Sequence, residues 1–173
     1  MLPEPRALRT ELSIVLAEAQ KTVFSPAREI DGIPGIEVYP KEDFQRYGLS
    51  PETFAARSKK TADRLLGELK ADLIKDAKGK VLYAVYRGER PIMSCLLMAP
   101  SLPQKFQEVF GSEIWVATPD RHSLYIFPAK PEALEEFVQD LAVRFEEDAH
   151  AASSEVFALG VGQPPRVVAS FVE

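Results

Sequence analysis

The residue types best suited to covalent chemistry in this chain are Cys95 and the only two histidines, His122 and His150. A thiolate paired with an imidazole is a standard activated nucleophile. Cys95, however, lies in the apolar run Met93-Ser94-Cys95-Leu96-Leu97-Met98, where a small buried hydrophobe is the expected role of a cysteine. His122 follows Pro119-Asp120-Arg121, and Asp120, Arg121 and His122 form the candidate ligand-binding set. The planar fork of Arg121 can hold a carboxylate or phosphate through two hydrogen bonds, and a protonated His122 adds a second donor. The competing expectation is that Arg121 pairs with Asp120 or with an acidic helix. A second basic set, Arg57, Lys60 and Arg64, is spaced along one helical stripe and could bind an anion. Its ordinary reading is a solvated face, with Arg64 helped by Glu68 four residues on.

Other chemistries lack their spacing. One cysteine with two distant histidines gives neither a zinc-finger nor an H-E-x-x-H pattern, so no metal site is predicted. Gly160 and Gly162 are followed by neither the lysine of a P-loop nor a helix, and no G-x-S-x-G elbow is present, so no cofactor is assigned. No residue is assigned as catalytic. The leading functional expectation is a non-catalytic binding or oligomerisation module, supported by the apolar and aromatic surplus around Trp115, Tyr125 and Phe127. The alternative is a small hydrolase or transferase using Cys95 or His122. A concave pocket joining Ser94, Cys95, Arg121 and His122 favours the enzyme; a flat apolar edge favours association.

These residues need a scaffold, and Glu113 to Phe127 is its centre. Two runs rich in β-branched and aromatic residues flank a Pro119-Asp120 turn, the pattern of a β-hairpin, and their continuous apolar character suits strands buried on both faces. Upstream, Leu8, Leu12, Val15, Leu16 and Ala19 recur at helical spacing and predict an amphipathic helix between Pro5 and Gln20. Lys21 to Gln45 reads as packed loop with one short strand at Ile36 to Tyr39. Ser50-Pro51-Glu52 has the order of N-cap, first-turn proline and dipole-facing acid, and opens a long helix whose core face runs from Phe54 to Leu73. Lys80 to Arg87 and Arg90 to Met98 read as a second hairpin turning at Gly88-Glu89. Ser101 with Gln104 reads as a capping box for a short helix stopped by Gly111. Pro131 starts a helix with Leu134, Phe137, Val138, Leu141 and Phe145 inward and an acidic outer face suited to solubility. Glu155 to Leu159 and Arg166 to Val172 are the last strands.

Hairpin connections dominate, so the fold class predicted is α+β: one domain over residues 1–173, a mostly antiparallel sheet of hairpins, and helices packed on one face. The chain has 173 residues, 46% of them hydrophobic, enough for one buried core. A formal net charge of -5 argues against nucleic-acid or anionic-membrane surfaces. The single cysteine excludes an intrachain disulfide and favours the cytoplasm. Ser13 to Ala19 superficially resembles a signal peptide, but Glu4 and Glu11 spoil its flank, and no apolar stretch approaches the roughly 20 residues of a membrane span. The expected partners are a second copy of the chain, forming a homodimer through the Arg166 to Val172 edge, and an unknown protein or small anion.

Four segments carry a family likeness: Tyr47-Gly48-Leu49-Ser50, Ser94-Cys95-Leu96-Leu97, Trp115 through Arg121 with the following strand, and His150 through Phe157. On these the chain resembles the YtpQ-like family of bacterial proteins over roughly Ile36 to Phe171. The resemblance implies a bacterial source and no known activity. The family's turn resembles Pro-x-Arg-Asp, and this chain has His122 in place of the acid, so no role of that carboxylate carries over.

Overall fold

The computed structural model describes residues 1–172. Its N-terminal segment departs from the helical pattern of Leu8 to Ala19. Leu2–Pro5 form a strand, β1, paired antiparallel with β2 (Thr22–Ser25), with Leu2 opposite Ser25 and Pro5 opposite Thr22. Between them lie a single 3-10 turn at Arg6–Leu8 and irregular chain. Tertiary pairing outcompetes helix propensity here. Ile14 exchanges both backbone hydrogen bonds with Phe24, and the hydroxyl of Ser13 accepts from the backbone N–H of Thr10, the local competition that makes serine a weak helix former. The apolar stripe is not one continuous core face: Leu8 and Val15 are exposed, while Leu12 and Ala19 are buried.

The Lys21 to Gln45 segment holds more structure than a loop. After β2 comes the hairpin β3 (Ala27–Glu29) and β4 (Ile36–Val38), then the short helix α1 (Lys41–Arg46). The expected strand near Ile36 is β4. Helix α2 (Pro51–Glu68) begins as the sequence indicates, with the Ser50 hydroxyl accepting from the backbone N–H of Thr53 at 3.2 Å. It stops at Glu68, so Leu73 lies instead in β5 (Asp72–Lys75), which forms a hairpin with β6 (Val81–Arg87).

The predicted hairpin partner Arg90 to Met98 is not a strand. Met93–Met98 is a 3-10 helix with Met93, Ser94, Leu96, Leu97 and Met98 buried. Both edges of β6 are already taken, by β5 and by β8 (Ser123–Pro128). Pro91 also lacks a donor for a ladder, and a short continuous apolar run suits a buried helical turn as well as a strand. Helix α3 (Leu102–Phe110) follows, but its capping box does not form: the backbone N–H and hydroxyl of Ser101 donate to Asp63 Oδ1 of α2 at 3.0 and 2.6 Å. Gly111 ends α3 at φ 98°, a left-handed conformation that costs glycine little.

β7 (Glu113–Ala117) and β8 are the central hairpin, as predicted, at the third and fourth positions of a six-stranded antiparallel sheet ordered β10-β9-β7-β8-β6-β5. The last two strands are β9 (Glu155–Gly160) and β10 (Arg166–Ser170). The helix predicted from Pro131 is two pieces, α4 (Pro131–Glu135) and α5 (Val138–Glu147). At the break Phe137 packs edge-on against Tyr83, with ring centroids 4.8 Å apart.

The α+β class and the antiparallel sheet match the sequence reading; helices on one face only do not. Ala84, Tyr86, Ile114, Val116, Leu124 and Ile126 face a core built with α2, the 3-10 helix and α3. The alternate residues Val85, Ala117, Tyr125 and Phe127 face Leu134 of α4 and Leu141 of α5. This period-2 division covers both faces, which the uninterrupted apolar runs of β7 and β8 already required. No helix among the described residues is long and apolar enough to cross a membrane.

Candidate functional site

The end of the central hairpin is zipped to the segment ahead of β9. Ser153 N donates to Thr118 O, Ala152 N to Pro119 O and Arg121 N to His150 O, at 2.9 to 3.1 Å. This pairing carries His150 to within 5.7 Å of His122, ring centre to ring centre. The Thr118 hydroxyl, fully buried, closes the turn by donating to Ser123 O at 2.8 Å.

Of the three predicted site residues, two are committed to the fold. The Asp120 carboxylate is buried, accepting from the backbone N–H of His122 at 2.8 Å and the hydroxyl of Ser123 at 2.6 Å. Arg121 pairs with Glu4 of β1 at 2.6 Å, with the two side chains only 13% and 4% exposed. The predicted alternatives, Asp120 or an acidic helix, are not its partner. Only His122 stays available, its Nδ1 lying 3.2 Å from Gly88 O. With His150 and Arg121 it lines a cleft of about 480 Å³ beside Pro34, Glu89 and Pro91.

A second cleft, of about 450 Å³, lies between α2 and the β3–β4 hairpin. Phe54, Ala62 and Leu65 of α2, with Tyr39, Leu49 and Ile92, give it an apolar lining. The rings of Tyr39 and Phe54 meet edge-to-face at 5.3 Å, which stiffens that wall. Six charged side chains border it: Arg28, Glu29, Arg57, Arg64, Glu68 and Arg90. Arg90 grips Glu29 through two hydrogen bonds of 2.8 and 2.6 Å, and Arg28 pairs with Glu37. The Glu29 carboxyl is held below its ordinary value by its hydrogen bonds to Arg90. Arg57 and Arg64 make no ion pair among the described residues, so the expected Arg64–Glu68 bridge does not form.

Cys95 opens on this second cleft, whereas Arg121 and His122 line the first and Ser94 is buried. The constellation that favours an enzyme is therefore not assembled in one cavity. Burial pushes the Cys95 thiol up to about 11, leaving about one thiol in a thousand ionised at pH 8. Native Cys95 should react with a thiol reagent far more slowly than the urea-unfolded chain. Cys95 is half-buried rather than buried as expected, so equal rates would mean that the cleft leaves its sulfur open to reagents.

Sequence reasoning found Arg57 and Arg64 but missed the opposite wall, because Lys21 to Gln45 carries too many prolines and glycines to reveal the β3–β4 pairing. It also missed the meeting of the two histidines, which depends on pairing across 28 residues. Comparison with known protein families, curated proteins and solved structures finds no match to this chain.

Proposed function

We propose that the protein is a non-catalytic small-molecule binding module whose site is the cleft between α2 and the β3–β4 hairpin. The observation that carries this reading is a concavity of about 450 Å³ with an apolar lining and polar groups at its rim, the build of a ligand site. The neutral thiol of Cys95 and the engagement of Asp120 and Arg121 in the fold speak against the hydrolase or transferase alternative. Nile red, a neutral apolar dye, should gain fluorescence on binding, and Thr61→Trp, at an exposed cleft-lining position, should abolish the gain by filling the space. Undiminished fluorescence with Thr61→Trp sinks the reading.

Self-association through β10 is a second reading, favoured by the position of that strand at the sheet edge. A register shift between Val167 and Ala169 interrupts its ladder with β9, and such irregularities limit how far an edge can extend. Light scattering should return a dimer at micromolar concentration; a mass near 19.3 kDa removes this reading. We also propose the YtpQ-like kinship on the segments quoted above. Two of them contribute Leu49 and Cys95 to the cleft between α2 and the β3–β4 hairpin.

A further inference from the structure

Resting on the cleft as the binding site, we infer that its ligand is an amphipathic anion, an apolar chain ending in a carboxylate. The charge around the cleft runs against that of the molecule. The chain carries a formal net charge of -5, yet four of the six charged residues bordering the cleft are arginines. Two of the four are neutralised by Glu29 and Glu37, and Arg57 and Arg64 have no carboxylate partner among the described residues.

Helix periodicity places those two side chains to act together. Arg57, Thr61 and Arg64 are spaced by four and three residues and all border the cleft, so they form one stripe along α2. Over seven residues the helix rises about 10.5 Å, two turns, so both guanidinium groups can swing toward a head group bound between them. Phe54, Ala62 and Leu65 form the neighbouring stripe, and Ala62 and Leu65 are buried. An apolar body laid on that stripe puts a terminal charge at the arginine rim. A planar carboxylate matches the guanidinium fork, which an alcohol does not, and an ammonium is repelled. Glu68 also borders the cleft, at the far end of the same stripe; its carboxylate favours a cation at that end, so an anion gains only when its head group is placed toward Arg57 and Arg64.

The test is a calorimetric comparison of octanoate, 1-octanol and octylamine, which share a chain and differ in head group. Octanoate should bind about tenfold or more tightly than either of the others, the scale of a charge-assisted hydrogen bond. In Arg57→Gln/Arg64→Gln that advantage should vanish while octanol binding is unchanged. Both arginines are exposed, so the variant should keep the wild-type unfolding midpoint. Equal binding of octanoate and octanol, both lost in Thr61→Trp, overturns the anion inference and leaves the binding module standing. Tighter binding of octylamine overturns it too. If none of the three binds, the anion inference falls, and the Nile red result alone decides the module reading.

Discussion

Arg121→Ala should destabilise the protein by about 3–5 kcal/mol, because it leaves the Glu4 carboxylate buried without its counter-charge. Glu4 is 4% exposed and Arg121 13%, so water cannot take over the lost hydrogen bond cheaply. The pair also links two parts of the fold far apart in sequence, β1 and the turn of the central hairpin. Urea unfolding at neutral pH should show a lower midpoint with little change in slope. The double variant Glu4→Leu/Arg121→Met should recover most of the loss, since a buried ion pair replaced by apolar groups of similar volume is often neutral or stabilising. A single-variant loss below about 1 kcal/mol, the scale of an exposed bridge, would mean that the guanidinium is freer than its geometry implies. That outcome would return Arg121 to the set of ligand-binding candidates, alongside His122.

The parts of the fold written in local chemistry were legible. The order Ser50-Pro51-Glu52 marked the start of α2 because capping, proline geometry and the helix dipole all act within one turn. β7 and β8 were legible because an apolar run around Pro119-Asp120 has few other solutions. What failed depended on distant partners. Leu8 to Ala19 has helical periodicity, yet the backbone of Phe24 pairs with Ile14 and Pro3, an interaction no local window contains. Arg90 to Met98 has strand composition, yet no free edge of β6 remains to receive it. The site followed the same division. Arg57, Lys60 and Arg64 could be read as a stripe, but only the folded β3–β4 hairpin makes a cleft beside it, which Arg57 and Arg64 border and Lys60 does not. Arg121 was read as a ligand group, with Asp120 or an acidic helix as its competing partner; the partner it has in the structure, Glu4, lies 117 residues away, beyond any local window.

Phe157→Ala should cost about 3–5 kcal/mol, the range for emptying a fully buried phenylalanine site. Phe157 of β9 is 0% exposed and meets Phe24 of β2, also 0% exposed, edge-to-face with centroids 6.0 Å apart. These two rings are where the N-terminal β1–β2 pair is seated on the main sheet. A geometry of this kind contributes about 0.5–1.5 kcal/mol beyond burial, so the losses in Phe24→Ala and Phe157→Ala should not add. The double variant should be less destabilised than the sum by about that coupling energy. Strict additivity would mean that the rings are buried independently and that β1–β2 is held to the sheet by other contacts, the Glu4–Arg121 pair first among them. Coupling of the expected size, with one cooperative transition seen by both fluorescence and circular dichroism, would establish that β1–β2 folds with the sheet as one unit. The same seating bears on the proposed ligand cleft, because Met1 and Leu2, at the start of the β1 segment, line it together with α2.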